Sequence, residues 1–125
     1  MFTDSLGMLL RGAYLTFHRR ANAHFESFGL TADQFVILTL VAEAEGATQR
    51  ELCERAASDA NTIGEMLARL EKKKLLRRER HPSDGRARCV FLTAAGRKMQ
   101  RLLWQSCESE LRAIDTAFRP ADLKR

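Results

Sequence analysis

Several features are scarce in this 125-residue chain. No apolar run approaches the roughly 18 residues that a helix needs to cross a bilayer, so no membrane association is expected. The first residues, Met1-Phe2-Thr3-Asp4, carry neither a basic leader nor a cleavage site, so secretion is not expected either. Cysteine is limited to Cys53, Cys89 and Cys107, widely spaced and odd in number. That excludes a disulfide framework and a C-x-x-C metal knuckle, and makes a reducing cytoplasm the expected setting. The three histidines, His18, His24 and His81, never stand four residues apart, so no helix-borne metal pair is available. There is no Ser/Cys–His–acid pattern, no phosphate loop and no H-E-x-x-H. Catalysis, a metal and a cofactor are therefore not expected.

Apolar residues make up 45% of the chain and charged residues 30%, the balance of one globular domain able to bury a core without staples. The net charge of +5 is unevenly distributed. Residues 1–68 hold five arginines and nine acids, a net of −4. Residues 69–88 hold nine Lys/Arg and three acids, a net of +6. Residues 89–125 hold seven Lys/Arg and four acids, a net of +3. A basic stripe concentrated in one window is the footprint of a nucleic-acid binder, and a solvated surface run is its alternative.

Residues 5–28 predict an amphipathic helix, with Leu6, Leu9, Leu10, Ala13, Tyr14, Phe17, Ala21, Phe25 and Phe28 at three- and four-residue steps. Gly29 is a natural stop. Thr31 with Gln34 forms a capping box that opens a helix carrying Phe35, Leu38, Val41 and Ala42 and ending by Gly46. Thr48 with Glu51 forms a second box, opening a short helix to about Ala57 with Leu52 and Ala56 inward. Ser58 or Asp59 caps the next helix, which runs to about Lys73. Ile63, Met66, Leu67 and Leu70 form its apolar stripe, and Asn61, Thr62, Glu65 and Arg69 fall opposite. Two helices joined by a tight turn, the second with a polar outward face, have the shape of a helix-turn-helix.

The period then changes. Residues 75–80 read as a strand, His81-Pro82-Ser83-Asp84-Gly85-Arg86 as a turn, and 88–92 as the return strand. Thr93 caps a long helix from Ala94 to about Phe118, with Met99, Leu102, Leu103, Leu111, Ile114 and Phe118 on one side and Trp104 near it. Pro120 marks a break, and Asp122-Leu123-Lys124-Arg125 begins another helix. The predicted fold is mainly α with a small β-hairpin wing: a winged helix-turn-helix plus N- and C-terminal dimerisation helices. Its segments are 1–28, 30–93 and 94–125.

A helix fits the major groove, so Asn61, Thr62, Glu65, Arg69 and Lys72 are candidates to meet DNA there. Packing alone is the other explanation of the helix pair. Arg80, Arg86 and Arg88 flank a turn thin enough for the minor groove. Asp84 stands two residues from Arg86 and can hold its guanidinium in a charge-assisted pair. A hairpin with solvated arginines is the alternative. Glu65 repels phosphate; it can accept from cytosine N4 or pair locally with Arg69 at i+4. Thiol sensing needs an accessible thiolate near a basic group. Cys89 adjoins Arg88 and Cys107 adjoins Glu108, while Cys53 lies within the helix pair, and burial as a small hydrophobe is the ordinary role.

The run Asp84-Gly85-Arg86-Ala87-Arg88-Cys89-Val90-Phe91-Leu92-Thr93-Ala94-Ala95-Gly96 resembles the wing and exit of the MarR (multiple antibiotic resistance regulator) family of bacterial winged helix-turn-helix regulators, with its D-x-R and L-T-x-x-G. Residues 29–35 look like that family's entry to its second helix, and 61–73 like its recognition helix. The resemblance covers nearly all of 5–118. It implies a homodimer built from the terminal helices, a near-palindromic double-stranded DNA operator, and ligand-responsive repression. It also implies a ligand cleft lined in part by the first helix, where Tyr14, His18 or Arg19 meets a small anionic aromatic effector. Two residues depart from the family. Lys74 stands where a glycine usually ends the recognition helix, and Glu65 where a basic residue is common. The C-terminal helix is short for the family. Peroxide sensors of the family place their cysteine near the start of the first helix, where this chain has none. A winged-helix protein-interaction module and a thiol-based redox regulator are the alternatives.

Overall fold

The computed structural model describes the backbone of residues 1–117 and the side chains of residues 1–113. The expected break at Pro120, the segment Asp122–Arg125, Phe118 and the side chain of Ile114 lie outside what is described. After a single 3-10 turn, Phe2–Asp4, come α1 (Leu6–Glu26), α2 (Ala32–Glu43), α3 (Gln49–Arg55) and α4 (Ala60–Lys72). The hairpin β1 (Leu76–Arg80) and β2 (Arg88–Leu92) follows, and α5 (Ala94–Ala117) closes the described chain. No helix among the described residues is long and apolar enough to cross a membrane.

The helix ends are set by local chemistry. Ser5 opens α1 by accepting from the Met8 N–H. Gly29, at φ +76°, ends it in the left-handed conformation that a missing Cβ makes easy. The Thr31–Gln34 box is complete: the Thr31 hydroxyl accepts from the Gln34 N–H at 3.1 Å, and the Gln34 carbonyl accepts from the Thr31 N–H at 3.0 Å. The second box is only half made. Thr48 accepts from the Glu51 N–H at 3.2 Å, but the Glu51 side chain stays in solvent and does not reach back. Of the two candidate caps of α4, Asp59 does the work, accepting from the Thr62 N–H at 2.8 Å.

Leu38, Val41, Leu52, Ile63, Leu67, Leu70, Val90 and Leu103 are wholly buried and come from every element except α1 and β1. α1 adds Phe25 and β1 adds Leu76. Two apolar stripes need correcting. On α2, Ala42 is exposed and Ile37 is buried, because α2 packs against α1, α3, α4, α5 and β2 and is enclosed on several sides. On α5, Leu102 faces solvent, while Leu103 and Cys107, four residues apart, make the buried stripe.

β1 and β2 pair antiparallel from Leu76↔Leu92 to Arg80↔Arg88. The free edge of β2 is covered by the α2–α3 link: the Gly46 N–H donates to the Val90 carbonyl and the Val90 N–H donates to the Ala47 carbonyl, both at 2.9 Å. The hairpin is thereby fastened to the helix pair.

The end of α4 and the start of α5 meet at one crowded joint. Lys74 sits at φ +63°, the left-handed position expected from its place after α4. Its N–H donates to the Glu71 carbonyl at 2.9 Å, and the Leu75 N–H donates to the Leu70 carbonyl at 3.0 Å, the paired bonds of a Schellman ending. The Thr93 N–H then donates to the Leu75 carbonyl at 3.1 Å. The Thr93 hydroxyl donates to the Lys74 carbonyl at 2.7 Å and accepts from the Gly96 N–H at 3.0 Å. A Cβ on Gly96 would lie 1.7 Å from the Leu75 carbonyl oxygen, so only glycine fits.

Gly96→Ala is expected to destabilise the fold by on the order of 3 kcal/mol, because backbone must move to admit the methyl group. Lys74→Gly is expected to stabilise it by about 0.5–1 kcal/mol by relieving the left-handed strain. Urea midpoints at unchanged m-value measure both; equal midpoints for wild type and Gly96→Ala would show that the joint is not tight.

Candidate nucleic-acid interface

α4 is positioned by Ile63, Leu67 and Leu70, which anchor one face in the core. The opposite face presents Asn61, Thr62, Glu65, Arg69 and Lys72, all exposed. Thr62 is less free than its sequence position suggested. Its hydroxyl donates to Asp59 Oδ2 at 2.9 Å, so that hydrogen is committed to the cap. The Thr62 backbone N–H, and then this hydroxyl, hold the Asp59 carboxyl below its ordinary range. Asn61, Glu65, Arg69 and Lys72 make no side-chain hydrogen bond or ion pair among the described residues, and the local Glu65–Arg69 pair is not formed.

The nine basic residues of 69–88 divide into two groups. Arg78 turns inward, donating to Gln49 at 3.1 Å and pairing with Glu71 at 2.9 Å. The Arg78 hydrogen bond holds the Glu71 carboxyl below its ordinary range. Arg77 lies over the Phe91 ring, 4.5 Å from its centroid, and pairs with Glu79. Lys73 donates to the Gly29 carbonyl at 2.7 Å, tying the end of α4 to the α1–α2 turn. Arg69, Lys72, Lys74, Arg80, Arg86 and Arg88 remain exposed, without a side-chain hydrogen bond or ion pair among the described residues. Neighbouring strand residues point to opposite faces, so one of Arg77 and Arg78 had to turn toward the helices; the sequence does not say which.

The wing tip is built differently from expectation. Asp84 Oδ1 accepts from the backbone N–H of Arg86 at 3.0 Å, not from its guanidinium. An aspartate two residues ahead reaches the main chain easily in a tight turn, and the long arginine side chain is left pointing into solvent. His81 organises the other half of the tip: its Nδ1 accepts from the N–H groups of Ser83 and Asp84, both at 3.1 Å. An imidazole in this role must leave Nδ1 unprotonated. Sequence reasoning missed this contact, although a histidine two and three residues before turn N–H groups is a usable signal.

The thiols are poorly placed for sensing. Cys89 and Cys107 are buried and Cys53 is half-buried. Cys107 donates to the Leu103 carbonyl at 3.2 Å, and burial, followed by Glu110 and Glu108, pushes its thiol pKa up, the reverse of what a reactive thiolate needs.

A cleft of about 320 Å³ opens between α1, α2 and α5. Phe17, Phe25, Phe35 and Val36 give it apolar walls, and Arg20, His24 and Glu110 supply charge and polarity. Tyr14, His18 and Arg19 do not line it. Tyr14 and His18 stack on each other with ring centroids 5.5 Å apart. Helical rotation turns Arg20 and His24, rather than Arg19, toward the opening. His24 Nε2 lies 2.9 Å from Ser106 Oγ, whose own hydrogen goes to the Leu103 carbonyl at 2.6 Å, so Nε2 is the donor.

A helix pair with an exposed polar second helix, a hairpin fastened beside it, and long helices on either side define a winged helix-turn-helix protein. Comparison with known proteins narrows the class. The MarR family pattern matches residues 30–87. The transcriptional regulator HosA of Escherichia coli O111:H- is 44% identical over 70 residues, 56% of this chain and 52% of HosA, so the match spans about half the length of that relative. The uncharacterised HTH-type transcriptional regulator YdcH of Bacillus subtilis (strain 168) is 30% identical over 97% of this chain and 82% of its own length. Among solved structures, a mutant MarR from E. coli complexed with operator DNA superposes with a TM-score of 0.82 at 25% identity, covering 95% of this chain and 86% of that one. The chain belongs to the MarR family.

The Glu71–Arg78 pair gives a pH signature. A carboxyl whose pKa is lowered by folding contributes stability above its ordinary value, 4.5 for Glu71, and loses it as pH falls through the folded value. Denaturation midpoints are therefore expected to drop as pH is lowered from 4.5, and to drop less in Glu71→Gln, which starts lower near neutrality. The same pH dependence in both proteins would exclude the pair as a contributor.

Proposed function

We propose that this protein is a DNA-binding transcriptional regulator of the cytoplasm, a ligand-responsive repressor that binds a near-palindromic duplex operator as a homodimer and is not an enzyme. The observation that carries the reading is the division of the basic window. Six of its nine cations, on α4, the following turn and the wing, are exposed and make no side-chain hydrogen bond or ion pair among the described residues, although Arg88 acts on Glu71 through its charge. Basic side chains displace counterions from phosphate. α4 lies in the major groove, where Asn61, Arg69 and Lys72 reach bases or backbone and Thr62 offers its oxygen as an acceptor. The wing carries Arg86 into the minor groove, with Asp84 shaping its tip and Arg80 and Arg88 on the flanking phosphates. A mutant MarR from E. coli that is complexed with operator DNA supports the reading that this chain binds duplex DNA.

Residues 1–28 and 94–125 serve dimerisation, and 30–93 form the reading head. Leu6 at 72% exposure, Leu10 at 61% and Phe17 at 49% put a large apolar stripe of α1 in water, and such stripes mark interfaces. In the dimer the two α4 helices lie about one DNA turn, roughly 34 Å, apart. The cleft suits a small anionic aromatic effector, its ring among the phenylalanines and its anion toward Arg20. The effector favours a dimer whose heads have the wrong separation for successive half-sites.

Three measurements test the reading. Operator affinity should fall steeply with salt, by about 0.9 in log K per log unit of salt for each phosphate neutralised. Arg86→Ala should weaken binding by about 1–3 kcal/mol at matched salt while leaving the circular dichroism unchanged. Leu10→Asp should abolish dimerisation in sedimentation and operator binding together. A protein that binds no duplex even at low salt would instead favour a winged-helix module that binds protein.

A further inference from the structure

Glu65 is the one carboxylate on the outward face of α4. At about 100° per residue, Asn61, Glu65 and Lys72 point directly away from buried Ile63, Leu67 and Leu70. Glu65 is therefore central to the face, not at its rim. Its neighbour across the next turn, Ala68, is exposed and too small to cover it. Arg69 stands at the i+4 distance that favours a pair, yet no pair forms, and Glu65 has no hydrogen bond or ion pair among the described residues.

A bare carboxylate here has few acceptable surroundings in a groove. Phosphate repels it, and groove water is displaced by the approach of the helix. It accepts hydrogen bonds and cannot donate, so it needs a donor on a base edge. The major groove offers two, the exocyclic amino groups of cytosine and adenine. Adenine places its N7 lone pair beside that amino group, which a carboxylate meets unfavourably. Cytosine presents the amino group alone. We infer that Glu65 is a specificity-determining residue that selects a cytosine in each operator half-site, by accepting from its exocyclic amino group and by repelling the other three bases. The inference rests on the operator-binding reading above. It assigns Glu65 a role that works through discrimination and against raw affinity.

The test is enrichment of bound duplexes from a randomised library by the full chain at fixed salt, for wild type, Glu65→Gln and Glu65→Ala. Circular dichroism checks that each variant is folded. Wild type is expected to prefer cytosine by about 10-fold at one symmetric position of each half-site. In Glu65→Gln that position should shift to adenine, whose donor and acceptor match an amide. In Glu65→Ala it should level among the four bases, with tighter binding to arbitrary duplex. Base preferences identical in all three proteins, with duplex binding intact, overturn the inference and leave the operator reading standing. A wild-type protein that retains no duplex at low salt overturns both.

Discussion

The close approach of the Leu75 carbonyl to Gly96 is the constraint on which the joint between α4, the hairpin and α5 depends. It lets the hairpin's first strand and the last helix share space that no other residue would leave. Because α5 starts there, Thr93 can satisfy the end of α4 and the beginning of α5 with one hydroxyl. Because the hairpin starts there, Leu76 and Leu92 enter the core as a cross-strand pair. A left-handed Lys74 is tolerated at this point, since the Schellman bonds and the Thr93 bond overdetermine its backbone.

The basic window then works as two populations with different tasks. Arg78, with Gln49 and Glu71, joins the hairpin to α3 and α4, and Lys73 joins α4 to the α1–α2 turn. These cations orient the head. The ones left without partners keep their full charge available to a polyanion. Simple net charge counts both kinds equally and so overstates what a ligand can meet.

Much of this was legible from local rules. Caps at Thr31, Asp59 and Thr93, the stop at Gly29, and the apolar stripe of α4 all depend on neighbours within four residues, and the structure keeps them. The outward placement of Asn61, Thr62, Glu65 and Arg69 followed from the same periodicity. What was not legible depends on distant partners. Periodicity does not tell a helix enclosed on many sides from one with a single buried stripe, hence the errors at Ile37, Ala42 and Leu102. Nor does it show that Asp84 prefers a main-chain donor to a guanidinium, since both lie within reach of the same turn. The cleft was expected on α1, but the turn of the helix, set by Phe25 in the core, decides that Arg20 and His24 face it.

The ties at the end of α4 also set its kinematics. Lys73 is bonded to the Gly29 carbonyl and Lys74 to Thr93, so the C-terminal end of the helix is a fixed pivot. Its opposite end is reached through the α3–α4 turn, where Ala57 adopts φ +51° and the Ser58 N–H donates to the Cys53 carbonyl. Asn61 lies twelve residues from Lys73, a lever arm of about 18 Å at 1.5 Å per residue. A swing of roughly 5° about the pivot displaces it by about 1.5 Å, enough to take a hydrogen bond out of range. A rotation of α4 about its C-terminal end, opposed by the wholly buried Ile63 and Leu67, would be felt most at Asn61, less at Glu65, and least at Lys72.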